Sequence, residues 1–297
     1  MDEGEGKAHM VGARYLEHLS DRDLAWLTQG GGASVGLEAE DGPVLRTRPE
    51  MIEPLLGHPE VRGRLFDQGG SDPFIGVSPF LVFAVLVHHC AAELEGVSFV
   101  REWVGPRRRL PVFDAAGLVD FLSDAKHRLF LAELMNSYTH VASGAMWVRS
   151  ARGWRRHRFS ELDLVRLASL LEVVPEEDRP GVYRRLGDLA LFLTGLFPDH
   201  SASWAASPFH AARLNRAVGA GETSLDEGDG AASMDWLEDL GRRCYLTACR
   251  SVPSPAVGMS VVASVADSFG QARRTLNFMA EGHLFALRNR WFPGPAG

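Results

Sequence analysis

The chain has 297 residues, of which 45% are hydrophobic and 23% are charged. This balance is typical of a globular protein and excludes an intrinsically disordered chain. The formal net charge of −7 at pH 7 excludes a general nucleic-acid binder that is positive over its whole surface.

About ten segments have the hydrophobic periodicity of helices, and most of them begin or end at Ser, Asp, Pro or Gly. In chain order, the predicted helices cover residues 12–29, 47–57, 59–66, 78–95, 114–122, 124–140, 160–174, 180–197, 207–218, 233–250 and 257–290. An extended segment is predicted over 98–113, a β-hairpin over 145–159, and a mobile, acidic, Gly-rich loop over 219–232.

Three of the predicted helices have recognisable caps. Ser20 is a predicted N-cap, Ser78 precedes Pro79 at the first helical position, and Ser160 with Asp163 resembles a capping box. The first turns after Ser78 are apolar on every side. A helix with this pattern is expected to be surrounded by other helices, so it is the predicted centre of the core.

The sequence therefore predicts a mainly α fold. We expect a multi-helix, orthogonal or bundle-like core of about ten helices, with one inserted β-hairpin at about 145–159. Residues 12–297 are expected to form a single domain. The final helix pair, after the loop at 219–232, is too small to bury its own apolar seam.

Residues 1–11 and the cysteines indicate the compartment. The first eleven residues lack the basic and apolar regions of a signal peptide, and we expect them to be a tail that is disordered or derived from an expression vector. The three cysteines show no CxxC spacing, which is typical of reduced thiols. The most apolar run, residues 73–87, is shorter than the ~20 residues of a membrane span. A cytoplasmic protein that does not cross a membrane is predicted.

Positive charge is concentrated between residues 100 and 158, where eleven Lys and Arg accompany five Asp and Glu. Tryptophans lie among these arginines. Guanidinium groups hydrogen-bond to phosphate or carboxylate oxygens, and indole rings stack on bases. The candidate residues for binding an anion or partner are Arg107, Arg108, Arg109, Trp147, Arg149, Arg152, Trp154, Arg155, Arg156 and Arg158.

Side chains alternate along a strand, so this set must divide between two faces. Trp154, Arg156 and Arg158 are expected on one face of the hairpin, and Arg155 and His157 on the other. The GPRRRLP segment would add its arginines to the same surface if it paired with the hairpin. A solvated hairpin, neutralised by the acidic remainder of the chain or by a partner subunit, explains the same pattern.

Histidines and carboxylates on apolar helices form a second candidate set, for a metal or haem site. Its members are His88, His89, Glu93, Glu133, His140, Asp188 and His283. His89 and Glu93 are spaced i, i+4 and share a helix face, but the Glu-x-x-His spacing of di-iron bundles is absent. Buried polar residues with ordinary hydrogen-bond partners explain this set equally well. For Asp188, Arg184 is the expected partner.

No dinucleotide-binding, P-loop or GxSxG motif is present, so no enzyme class or cofactor is specified. Three functions stay open. The favoured one is a cytoplasmic helical binding or regulatory protein that contacts an anionic partner, either a nucleic acid or an acidic protein surface. The second is an enzyme or sensor with a buried metal or haem. The third is a helical scaffold that forms a homo-oligomer.

Overall fold

The computed structural model describes residues 3–66, 76–105, 108–150, 153–219, 230–251 and 257–284. Its contacts divide the chain into two compact units. Unit 1 comprises Met1–Ser98 and Ala115–Ser137, and unit 2 comprises Phe99–Asp114 and Tyr138–Gly297. The single domain predicted for residues 12–297 stays a prediction.

Unit 1 is built from seven described α-helices, joined in part by short 3-10 turns. They are α1 (Glu3–Leu16), α2 (Asp21–Gly31), α3 (Ile52–Leu56), α4 (Pro59–Phe66), α5 (Pro79–Glu95), α6 (Ala115–Ser123) and α7 (Ala125–Ser137). Every residue of α5 from Phe80 to His88 is buried, and α5 packs against α4, α6 and α7. The helix predicted at the centre of the core therefore forms the centre of unit 1.

Caps begin α2 and α5 as predicted. Ser20 and Asp23 form a capping box at the start of α2. The Ser78 hydroxyl accepts a hydrogen bond from the backbone N–H of Leu81 at 3.2 Å, with Pro79 at the first helical position of α5. These side chains satisfy backbone donors that a helix N-terminus leaves unpaired.

The first helix begins earlier than predicted. Residues 3–11 were expected to belong to a disordered or vector-derived tail, yet α1 starts at Glu3. Val11 and Tyr15 are buried, and a Cβ on Gly12 would lie 1.9 Å from the carbonyl oxygen of Pro49. Helix α1 packs on the segment around Pro49, which is distant in the sequence, and this contact explains why the helix starts before residue 12.

Unit 2 contains four strands in two separate antiparallel hairpins. They are β1 (Val100–Gly105), β2 (Arg108–Val112), β3 (Ser143–Ser150) and β4 (Gly153–Ser160). Strand β1 pairs with β2, and β3 pairs with β4. The predicted hairpin at 145–159 is confirmed as β3–β4, and the extended segment predicted over 98–113 is a hairpin of its own.

Unit 2 contains seven described α-helices. They are α8 (Leu164–Ala168), α9 (Arg179–Leu196), α10 (Pro198–Ala205), α11 (Pro208–Ala217), α12 (Gly230–Arg250), α13 (Val257–Asp267) and α14 (Phe269–Met279), with a π-helical turn over Ala280–Leu284. Residues Leu186–Leu196 of α9 are all buried, and α9 packs against α12 and α14.

The prediction of a mainly α fold with about ten helices is confirmed, since the described ranges contain fourteen α-helices, of which α3 and α8 have only five residues each. Two boundaries were wrong. Ser160 ends β4, and Asp163 caps α8 instead. The long final helix divides at Ser268 into α13 and α14. The loop predicted at 219–232 falls mainly on residues outside the described ranges, and α12 begins at Gly230.

Candidate functional site

The β3–β4 hairpin places arginines and tryptophans opposite one another. Its register pairs Trp147 with Arg156, Arg149 with Trp154, and Ala145 with Arg158. Directly opposed residues of an antiparallel pair project from the same face of the sheet. Alternation along the sequence assigns residues to a face within one strand only. The register shows that five side chains from the two strands lie on the same face of the hairpin.

These side chains form what we call the Arg–Trp face, which comprises Trp147, Arg149, Trp154, Arg156 and Arg158. All five are exposed, and the two indoles are 66% and 69% exposed. Large aromatic side chains are normally among the most buried in a protein, and burying one stabilises a fold by roughly 1.5–3 kcal/mol. The two tryptophans of this hairpin are therefore left in solvent without that stabilisation.

On the opposite face of the hairpin, His157 and Phe159 of β4 are packed. His157 is only 8% exposed, and its Nε2 lies 3.0 Å from Ser169 Oγ. Phe159 is half-buried, and β4 packs against α8. The hairpin is thus held against the helices of unit 2 by one side, which leaves the other side available.

The base of the hairpin is also tied to unit 2. Glu161 Oε2 accepts a hydrogen bond from the backbone N–H of Ala142 at 2.9 Å and one from Arg185 Nη2 at 3.4 Å. The Arg185 guanidinium also lies 3.9 Å from the ring centre of Tyr138, a cation–π distance. These contacts fix where the strands leave the helical core.

The arginines of the Arg–Trp face are not neutralised internally. Within the described part of the chain, Arg149, Arg156 and Arg158 form no ion pair with a carboxylate. Three guanidinium groups on one small face repel one another unless an anion is present. Their positive charge is therefore available to a ligand.

The arginines of the first hairpin do not join this face. Strands β1 and β2 form their own sheet, so the condition under which the two basic segments would share a surface is not met among the described strands. Arg108 is exposed, whereas Arg109 forms ion pairs with Glu281 and, at 3.7 Å, with Asp199. Trp103 is buried and donates its indole N–H to Asp199 Oδ1 at 2.7 Å. Arg109 and Trp103 therefore stabilise unit 2.

Three other members of the basic set cannot be assigned a surface. Arg107 and Arg152 lie outside the described residues, and the side chain of Arg155 is likewise outside the described part of the structure. The backbone of Arg155 pairs with that of Val148.

In unit 1, the metal-candidate residues belong to two different environments. His88 is buried, with its Nε2 3.2 Å from the hydroxyl of Tyr15 and 3.7 Å from Glu53 Oε1. Desolvation, followed by the nearby Arg128 guanidinium, lowers the pKa of His88 to about 3. His88 is therefore an uncharged member of a buried hydrogen-bond network at neutral pH.

The other unit 1 candidates lie nearer the surface. His89 Nε2 is 3.6 Å from Glu93 Oε2, so the predicted i, i+4 pair does form. Glu133 Oε1 instead lies 2.9 Å from His18 Nε2, which links α7 to the end of α1.

In unit 2, the candidates His140, Asp188 and His283 lie on separate elements. His140 is exposed beyond α7, with its Nδ1 2.9 Å from Thr139 Oγ1, and His283 lies in the π-helical turn. Asp188 is buried in α9 and accepts a hydrogen bond from the Tyr245 hydroxyl of α12 at 2.9 Å. The proposal of a metal or haem site stays a prediction.

Several residues of these networks were not predicted as site residues. The residues near His88 are Glu53, Arg128 and Tyr15. Asp188, for which Arg184 was the expected partner, accepts a hydrogen bond from Tyr245. Burial raises the pKa of Tyr245, with the Asp188 carboxylate as the next cause. A buried Tyr in an apolar helix signals a need for a hydroxyl partner, but nothing in the sequence identifies which one.

Comparison of the chain with protein-family models, with curated proteins and with solved structures gives no match. Among the described helices, none combines the length and apolar character needed to cross a membrane.

Proposed function

We propose that this protein is a cytoplasmic helical binding protein that contacts an anionic partner through the Arg–Trp face of the β3–β4 hairpin. The observation that carries the proposal is the cross-strand register, which pairs Trp147 with Arg156 and Arg149 with Trp154. All four side chains are exposed. The cytoplasmic location is supported by three cysteines that are all free thiols.

The face combines the two groups that anion recognition needs. Exposed guanidinium groups form paired, charge-assisted hydrogen bonds with phosphate or carboxylate oxygens. Indole rings add apolar or stacking contacts, and Trp and Arg are the residue types that contribute most to binding at interfaces. Because the packed side of β4 anchors the hairpin, its backbone does not need to order on binding, which lowers the entropic cost.

The charge of the chain explains why such a partner would bind locally. The protein has a net charge of −7, so a polyanion is repelled by most of its surface. Only a region where positive charge is concentrated and unpaired can overcome this repulsion. The Arg–Trp face has this character among the described residues.

The test is a triple variant, Arg149→Ala, Arg156→Ala and Arg158→Ala. Loss of three charged hydrogen-bonding groups, each contributing roughly 1.5–3 kcal/mol, should abolish measurable binding to heparin, used as a generic polyanion. Circular dichroism and thermal unfolding should stay unchanged, because these side chains make no ion pair within the described chain. Fluorescence anisotropy with labelled heparin measures the affinity.

A matched control separates the face from overall charge. The variant Arg22→Ala, Arg179→Ala and Arg216→Ala removes the same three charges from exposed positions on α2, α9 and α11. It should keep wild-type affinity. Equal losses in both triple variants would show that only net charge matters and would contradict the proposed face.

A further inference from the structure

We propose that the ligand of the Arg–Trp face is a single-stranded nucleic acid whose bases stack on Trp147 and Trp154 while its phosphates contact the arginines. This inference rests on the proposed function and names its partner class. Its basis is the alternation of rings and guanidinium groups across the two strands, which matches the alternation of bases and phosphates along a nucleic-acid strand.

The alternation follows from the register. On β3 the face presents Trp147 and then Arg149, and on β4 it presents Trp154 and then Arg156. Because the strands are antiparallel, each indole has a guanidinium directly opposite, and the two indoles occupy diagonal positions. Diagonal neighbours have Cα atoms about 7–8 Å apart. That separation leaves room for flat ligands beside each ring.

The indole surfaces are open to a ligand. Within the described part of the chain, neither Trp147 nor Trp154 contacts another aromatic ring or a guanidinium group. By contrast, Trp26 is covered by Arg64, with 4.7 Å between the guanidinium carbon and the ring centre, and Trp204 stacks on His210 at 4.6 Å. The hairpin tryptophans therefore differ from these two, because no described ring or guanidinium group stacks on them.

An acidic protein surface matches this face less well. Protein interfaces concentrate their apolar residues in a central patch, with charged groups at the rim. Here each indole is directly opposed by an arginine, and the remaining position opposite Arg158 is the small Ala145. No contiguous apolar centre results among these residues. A ligand in which aromatic rings alternate with negative charges could stack on both indoles and pair with all three guanidinium groups.

Duplex nucleic acid is disfavoured for a related reason. In a duplex the bases are stacked on one another, so their flat surfaces are not available to indoles. A duplex could contact the three arginines through its phosphates, but both tryptophans would then lack stacking partners. Unpaired bases present their flat surfaces freely, and base–aromatic stacking tolerates any base. Binding without strong sequence preference is expected.

The experiment measures fluorescence anisotropy with four labelled probes: dT12, rU12, a 12-base-pair DNA duplex and poly-glutamate. Four proteins are compared with wild type: Trp147→Leu with Trp154→Leu, Trp147→Phe with Trp154→Phe, the Arg149, Arg156 and Arg158 triple Ala variant, and Phe209→Leu. The Leu variant keeps an apolar side chain without a ring, whereas the Phe variant keeps a ring. Phe209, which is 64% exposed on α11, is the matched aromatic control outside the hairpin.

We expect dT12 or rU12 to bind at least tenfold more tightly than duplex or poly-glutamate. Loss of one stacked ring weakens binding about 5- to 150-fold, so the Leu variant should lose most of its affinity for single strands. The Phe variant should retain affinity within about tenfold of wild type, because its smaller ring still stacks. Phe209→Leu should bind as wild type does.

Three results would overturn the inference in distinguishable ways. If poly-glutamate or duplex binds as tightly as the single strands, and the Leu variant binds as wild type does, the partner is not a stacked single strand. The proposed function then survives, provided that the arginine variant still loses binding. If the arginine variant binds every probe as wild type does, the proposed function fails together with the inference. If no probe binds wild type, the inference fails, and the heparin titration decides the proposed function.

Discussion

His88 shows how a single residue on an apolar helix acquires its properties from its surroundings. It is the last of a continuous run of buried residues on α5, and its Nε2 lies 3.2 Å from the Tyr15 hydroxyl. Glu53 is nearby but is hydrogen-bonded to Arg128 Nη2 at 2.8 Å. The carboxylate charge is thus balanced by Arg128, and His88 stays uncharged.

The low pKa of His88 predicts a specific loss of stability in acid. The folded-state pKa is about 3, against an unfolded value of 6.5. Between these values only the unfolded chain binds the proton, so stability decreases as the pH falls below 6.5. A His88→Gln variant should therefore lose about 2 kcal/mol less than wild type between pH 7 and pH 5. Urea unfolding at both pH values measures the difference.

A His88→Gln variant that follows wild type at both pH values would contradict this prediction. His88 would then bind its proton equally well in the folded and the unfolded chain, and the buried neutral network would be wrong.

Glycines determine how closely the helices of unit 2 approach α9. A Cβ on Gly187 would lie 2.4 Å from the Tyr245 ring of α12, and one on Gly195 would lie 2.6 Å from the Leu276 side chain of α14. Real Cβ atoms do not approach neighbours this closely. The residue type at these positions is therefore required by packing between elements, since glycine otherwise weakens a helix by roughly 1 kcal/mol.

At the element scale we predict opposite effects for two glycines of α9. Gly187→Ala should destabilise the protein by about 1–3 kcal/mol, because the added methyl group displaces the Tyr245 ring and its hydrogen bond to Asp188. Gly181→Ala should stabilise it by up to about 1 kcal/mol, because a Cβ there meets nothing within 4 Å. Chemical unfolding of the two variants measures both. A neutral Gly187→Ala would show that α9 and α12 are not packed this closely.

Buried charges connect the first hairpin to the helices of unit 2. Arg273 on α14 donates to Glu238 of α12 and to Glu102 of β1, each at 2.7 Å. Arg274 donates to Asp114, beyond β2, at 2.7 Å. These arginines were not among the predicted binding residues, and their engagement with carboxylates gives them a structural role. By contrast, Arg149, Arg156 and Arg158 of the second hairpin form no ion pair with a described carboxylate.

At the scale of the whole molecule, the distribution of charge governs association. The net charge of −7 disfavours approach of a polyanion from most directions, whereas arginines that have no partner among the described carboxylates would favour it at one face. Such binding must weaken with salt, because each arginine that neutralises a phosphate releases counterions.

The number of phosphate contacts can be counted from this salt dependence. Three arginines on the face predict a slope of about −2 for log affinity against log salt, since single strands contribute about −0.7 per phosphate. Titrations of dT12 between about 20 and 200 mM NaCl measure it. A slope near zero would exclude phosphate contacts, and one steeper than about −4 would require arginines beyond those of the Arg–Trp face.

Much of the local structure follows from the sequence because it depends on residues close together along the chain. Helix periodicity, the caps at Ser20 and Ser78, and the hairpin at 145–159 all arise from contacts within a few residues. Strand alternation likewise predicts that Trp154, Arg156 and Arg158 share a face, and the structure finds all three exposed on one side. The 3.6-residue and two-residue repeats of the backbone suffice for these predictions.

What only the tertiary structure decided is which distant groups meet. Tyr245 lies 57 residues from its partner Asp188, and Tyr15 lies 73 residues from His88. The neutralisation of Arg109 by Glu281, and the lack of such a partner for Arg156 among the described residues, cannot be read from spacing. These outcomes depend on how elements far apart in the chain pack, because burial and charge pairing are properties of the space around a side chain and not of its neighbours in sequence.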